Sequence, residues 1–117
     1  MLIAVAGPYT AETEEERKKN LKALNTAAAA VYRKGHIPVI GVNAALFVAD
    51  ELNGLPRHEV ISRISFPVVE RCDAILVIGS SPGADHERDM IAGKGLPVYH
   101  SIDEIPIIIN PANGNST

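Results

Sequence analysis

Three short apolar runs, each interrupted or ended by glycine, constrain the fold of this chain most. Residues 2–6 (LIAVA) stop at Gly7-Pro8, residues 37–42 (IPVIGV) contain Gly41, and residues 74–78 (AILVI) stop at Gly79. Unbroken apolar runs of this length predict strands buried on both faces, as in a parallel sheet. The segments between them carry a helical period. Glu12, Glu14, Glu15 and Glu16 precede Arg17, Lys18 and Lys19. Acid before base suits a helix start and its dipole, and Thr10 or Thr13 can cap it. Leu21, Leu24, Ala28, Val31 and Tyr32 then recur at helical spacing towards Lys34, and Gly35 follows as a stop. The run TEEERKK reads as a solvated first turn.

Further along, residues 44–52 predict a short helix, residues 53–56 (NGLP) a turn, and residues 57–71 a second helix that Pro67 should kink or restart. Residues 84–94 predict a helix closed by Gly95, residues 96–100 a fourth strand, and residues 105–109 a fifth. The expected unit is a single α/β domain over residues 1–109, with a central parallel sheet of about five strands and helices on both faces. Residues 110–117 read as a frayed tail. Ligands of such sheets bind outside the carboxyl ends of the strands. Those ends here are Gly7-Pro8-Tyr9, Gly41-Val42-Asn43 and Gly79-Ser80-Ser81.

Composition removes several classes of function. The 117 residues suggest one domain, and hydrophobic content of 46% supports a core without disulfide staples. A formal net charge of −3 argues against a nucleic-acid partner or an anionic membrane, both of which select a basic face. The lone Cys72 excludes an internal disulfide and reads as core. The N-terminal stretch has no basic segment of a signal peptide, and no apolar run approaches the roughly 20 residues of a membrane span. A soluble cytoplasmic protein is the expectation. No metal site is expected, because the four histidines do not fall at ligand spacing. No cofactor is expected either, since the glycine-rich nucleotide fingerprints of NTPases and dinucleotide enzymes are missing.

The chemistry concentrates in Ile78–Gly95, IGSSPGADHERDMIAGKG. Gly79-Ser80-Ser81-Pro82-Gly83 matches the G-x-S-x-G elbow of serine hydrolases. That elbow needs the backbone N–H of the residue after the serine as an oxyanion donor. Here that residue is Pro82, which has none. Glu87 is the stronger candidate. Placed in the first turn of a helix, it would be held ionised by the helix dipole and free N–H groups, ready to act as a nucleophile. Its bland alternative is charge complementation of a helix start, together with Asp85. Ser80, Ser81 and Gly83 either shape a tight turn or present hydroxyls and amides to a phosphate or a sugar.

The ordered set IAVAGPY at the N-terminus, Gly35-His36, CDAILVIG at Cys72–Gly79 and SSPGADHE at Ser80–Glu87 resembles the nucleoside 2-deoxyribosyltransferase superfamily, above all its small branch near the nucleoside 5′-monophosphate N-glycosidases. The resemblance implies a flavodoxin-like fold and cleavage or transfer at the N-glycosidic bond of a nucleoside 5′-monophosphate or (deoxy)nucleoside. It implies that Glu87 is the nucleophile and that Tyr9 positions it. Gly7, Pro8, Ser80, Ser81 and Gly83 would line the sugar-phosphate side, and Asn43 would contact the base. Ser81 stands where the monophosphate hydrolases have serine and the nucleoside transferases have aspartate, which tilts the substrate towards a monophosphate. Asp73 resembles a structural aspartate. Ser65 stands where the family usually has the aspartate that donates a proton, so the donor is left open among His86, Asp50 and a partner-subunit residue. A homodimer or higher homo-oligomer is implied as well. Two alternatives accompany this reading: a non-catalytic nucleotide sensor of the same fold, and a cytokinin-type phosphoribohydrolase, whose glycine-rich motif SPGADHE only approximates.

Overall fold

The computed structural model describes residues 1–108. The elements run β1 (Leu2–Ala6), α1 (Glu14–Arg33), β2 (Ile37–Val39), α2 (Gly41–Asp50), α3 (Arg57–Glu70), β3 (Ala74–Val77), α4 (Pro82–Gly93) and β4 (Val98–Tyr99), followed by a 3₁₀ turn at Ile102–Glu104. The strands form one parallel four-stranded sheet in the order β2-β1-β3-β4. Its centre is the β1–β3 pair, in register from Ile3 opposite Ala74 to Ala6 opposite Val77.

Alternation along the two central strands builds two cores. Ile3 and Val5 of β1 and Ala74 and Leu76 of β3 face one side, where they pack with Leu24, Ala28 and Val31 of α1 and with Ile105. Ala4, Ala6, Ile75 and Val77 face the other side, against Val69 of α3, Cys72, and Ala84 and Ile91 of α4. Side chains such as Ile3, Leu24, Ile75, Leu76 and Ile91 are fully buried, each contributing roughly 1.5–3 kcal/mol. Cys72 is core, as expected, and burial pushes its thiol up to about 11. Asp73 clamps the start of β1, accepting from the Leu2 N–H at 2.8 Å while its own N–H donates to the Leu2 carbonyl at 2.8 Å. That clamp lies at the amino ends of the strands, away from the ligand-binding edge.

Several expected boundaries shift. Thr13, not Thr10, caps α1: its hydroxyl accepts the Glu16 N–H at 3.1 Å. The second strand ends at Val39, and α2 begins at Gly41. Asn43 therefore lies in the first turn of a helix rather than at a strand end. Pro67 lies inside α3 without restarting it.

Among the described residues there is no fifth strand. The portion of residues 105–109 that is described, up to Ile108, is irregular; residue 109 and the tail expected over 110–117 lie outside the described residues. Pro106 has no N–H to give to a ladder, and the segment is tied to the α1–β2 corner instead. The Lys34 ammonium donates to the carbonyls of Ile102 (2.6 Å) and Ile105 (2.9 Å), and the Ile108 N–H donates to the Lys34 carbonyl (2.8 Å). Buried His36 completes the anchor, its Nε2 donating to the Pro106 carbonyl at 2.7 Å and its Nδ1 accepting from the Met1 amino group at 3.2 Å. Its place in the chain is structural.

Candidate functional site

The chain runs from β1 outwards to β2 and then returns past β1 to β3. The loops leaving β1 and β3 consequently diverge, which opens a crevice at the carboxyl ends of those two strands. A cavity of about 340 Å³ occupies that position, within the roughly 300–1,000 Å³ of small-molecule sites. Gly7, Tyr9 and Thr10 line it from the β1 loop, and Ser81, Pro82, Gly83, Ala84 and Glu87 from the start of α4. Val42 of α2 and a face of α3 (His58, Ile61, Ser62, Ser65 and Phe66) close it.

Five of the residues proposed from the sequence therefore meet in one cavity: Gly7, Tyr9, Ser81, Gly83 and Glu87. Three others do not line it. Pro8 packs behind the wall, where a Cβ on Gly79 would come within 2.9 Å of its ring. Exposed Asn43 donates to the Asn25 side chain at 2.9 Å. The Ser80 hydroxyl donates to the Asp85 carboxylate at 2.9 and 3.0 Å.

Glu87 differs from expectation in two respects. Ser81 is the N-cap of α4, so Glu87 falls in the second turn rather than the first, beyond the reach of the helix-end charge. It is also buried, only 7% exposed, rather than held ionised at a helix end. Burial pushes its carboxyl up from an ordinary 4.5 to about 7. No cation pairs with Glu87 among the described residues to offset that desolvation. The side chain can enter the core at all because residue 41 is glycine. A Cβ there would stand 2.7 Å from Ser65 Cβ, 3.0 Å from Val69 Cγ2 and 3.1 Å from Glu87 Oε2. Ser65 and the Glu87 carboxylate thus share the floor of the cavity at the start of α2. Gly41→Ala is expected to destabilise the fold by roughly 1–3 kcal/mol, the usual cost of overpacking. A denaturant midpoint unchanged from wild type would show that this contact relaxes freely.

The turn before α4 is shaped by its own hydrogen bonds. The Ser81 hydroxyl accepts the Ala84 N–H at 3.1 Å and the Ser81 carbonyl accepts the Asp85 N–H at 2.8 Å. Pro82 contributes no N–H. These bonds account for a serine and a proline at the turn without an esterase elbow.

Of the groups proposed as replacement proton donors, His86 stacks on Phe66 with ring centroids 4.2 Å apart, and Asp50 pairs with Arg57. Neither lines the cavity. The histidine that does is His58, which the sequence reading passed over because it was tested only against metal-ligand spacing. The available signal was a polar stripe, His58, Ser62 and Ser65, at positions i, i+4 and i+7 of one helix face.

Tyr9 also walls a second cavity of about 250 Å³, shared with Glu14, Arg17, Lys18, Leu21 and Arg57. The Arg57 guanidinium is held even more firmly charged than usual, first by its hydrogen bond to Asp50 and then by the Tyr9 phenol. Among the described residues no cluster of His, Cys, Asp and Glu could hold a metal ion, and no helix is long and apolar enough to cross a membrane. In comparisons with known proteins, no family model and no curated sequence matches this chain.

Proposed function

We propose that this protein cleaves, or transfers at, the N-glycosidic bond of a nucleoside 5′-monophosphate or (deoxy)nucleoside, with Glu87 as the nucleophile. The observation that carries the reading is a buried, unpaired carboxyl on the floor of a nucleotide-sized crevice at the β1–β3 switch point. The strand order matches the first four strands of the flavodoxin-like 2-1-3-4-5 arrangement, the fold that the motif resemblance implies. A desolvated carboxylate suits the chemistry, because it can both stabilise an oxocarbenium-like transition state and capture it.

In this reaction a Glu87 oxygen bonds to the anomeric carbon while the carbon–nitrogen bond breaks and its electron pair leaves with the base. His58 gives the base its proton. It lies on the same face of α3 as Ser65, seven residues away, or about 10 Å along the helix at 1.5 Å per residue. That separation leaves room for a sugar over Glu87 and a base beside the imidazole. Imidazole is suited to the task near neutral pH. Water then attacks the anomeric carbon, returns a proton to His58 and frees Glu87; an acceptor base in place of water gives transfer. Exposed Phe47, Val48, Leu52 and Leu55, on α2 and the turn after it, offer a surface to a second copy of the chain.

The test is base release from a panel of ribo- and deoxyribonucleosides and their 5′-monophosphates, followed by chromatography. Glu87-dependent release is expected. Saturable binding without release would instead favour a nucleotide sensor, a reading that Ser65 in place of the family's acid supports. His58→Gln is expected to slow release of ordinary bases by roughly 10²–10⁴-fold. It should hardly affect an N7-methylated purine nucleotide, whose cationic base departs without a proton. Equal slowing of both substrates would remove His58 from the donor role.

A further inference from the structure

The geometry points to the basic cavity on the far side of Tyr9, formed by Arg17, Lys18 and Arg57, as the seat of a phosphate monoester on the ligand whose sugar occupies the Glu87 crevice. This deepens the N-glycosidase reading and rests on it for the identity of the sugar.

The start of α4, where the sequence motifs place a phosphate, faces a crevice with no lysine or arginine in its lining. Pro82 lacks an N–H, the Ala84 N–H is taken by the Ser81 hydroxyl, and the Asp85 N–H is taken by the Ser81 carbonyl. The Ser80 hydroxyl is spent on the Asp85 carboxylate, which would itself repel a phosphate. The Ser81 O–H and the Gly83 N–H remain as neutral donors, but beside the Asp85 carboxylate they make a poorer phosphate site than charged donors would.

The opposite wall has the chemistry that the α4 turn lacks. Arg17 is half-buried, and its Nη1 donates to the Ala11 carbonyl at 2.8 Å, which holds the guanidinium against the β1 loop. It forms no ion pair among the described residues. Arg57 gives Nη1 to Asp50 and also bonds the Tyr9 phenol, leaving other N–H groups of its five-donor planar fork for an oxyanion. Lys18 is engaged only by Glu14, at 3.7 Å with both side chains about three-quarters exposed, an exchangeable surface pair. Tyr9 is the common wall of this cavity and the Glu87 crevice. A sugar phosphate can therefore lie across it, sugar towards Glu87 and phosphate towards the guanidinium groups. The acid-then-base run of α1, which reads in sequence as a solvated first turn, acquires a second use.

The test is calorimetric titration with ribose 5-phosphate and with ribose, which needs no catalysis. Wild-type protein is expected to bind the phosphate at least tenfold more tightly than the plain sugar. Arg17→Gln and Arg57→Gln should each weaken ribose 5-phosphate about tenfold or more, the worth of a charge-assisted hydrogen bond, while leaving plain ribose within about threefold. Both arginines are at the surface or half-buried, and thermal melts matching wild type would verify that the variants fold. Equal affinity for the two ligands, or ribose 5-phosphate binding retained in both arginine variants, would overturn the assignment. The two readings fail separately. Base release that ignores the phosphate would sink this inference and leave Glu87 standing; arginine-dependent ribose 5-phosphate binding without base release would do the reverse.

Discussion

Glu87→Gln is expected to lose base release by at least about 10³-fold, since an amide cannot form the glycosyl ester that splits the reaction into two easier steps. The substitution keeps the shape of the side chain and removes the desolvated charge, so the loss is not expected to come from unfolding. The pH profile provides the finer check. Burial raises the Glu87 carboxyl to about 7, so below that pH the group is mostly protonated and cannot attack. The wild-type rate should rise up to tenfold per pH unit from pH 5 towards 7 as Glu87 ionises. In His58→Gln this acid limb should stay, because it belongs to Glu87. Trapping a sugar on Glu87 in acid-quenched protein, by mass spectrometry, would distinguish a nucleophile from a carboxyl that only hands on a proton. A wild-type rate flat from pH 5 to 8, with Glu87→Gln fully active, would overturn the assignment.

What the sequence revealed and what it concealed follow from the range of the interactions involved. β1 and β3 were legible because a strand buried on both faces must be apolar throughout, and both runs are. The start of α4 was legible because Ser81, Pro82 and Gly83 carry local cap and turn chemistry. Glu87 lines the crevice, but its buried environment differs from the ionised first turn that the local sequence suggests. Its charge state depends on Gly41, a residue far along the chain whose missing Cβ admits the carboxyl. The same close packing begins α2 at Gly41 and carries Asn43 onto an exposed helix face. Among the described residues the expected fifth strand is missing for a different reason: apolar character suggested pairing, while Pro106 and the anchors at Lys34 and His36 hold residues 105–108 elsewhere. His58 and the Arg17–Arg57 wall acquire meaning only once α1, α3 and the β1 loop are brought together.

Glu87→Gln is also expected to stabilise the protein above neutral pH, and the sign follows from proton linkage. The folded-state carboxyl titrates near 7 and an unfolded glutamate near an ordinary 4.5. Between those values the folded protein binds more protons than the unfolded chain, so stability falls as pH rises across that window. Below it both states are protonated and nothing is lost; above it both are ionised and the loss is complete. The separation corresponds to about 3 kcal/mol at 1.36 kcal/mol per unit. Urea midpoints measured at pH 4.5 and pH 8 should therefore separate in wild type by about that energy beyond whatever the variant shows. The glutamine variant, with no proton to lose at this site, should be the more stable of the two at pH 8 and similar to wild type at pH 4.5. A carboxyl poised this way spends folding energy to keep an ionisable group dry in a crevice. A carboxylate that merely complemented a helix start would do the opposite, adding stability on ionisation and losing it as acid is added. Wild-type stability that increases from pH 4.5 to 8, relative to the variant, would identify Glu87 as that kind of structural charge and remove the basis for its catalytic role.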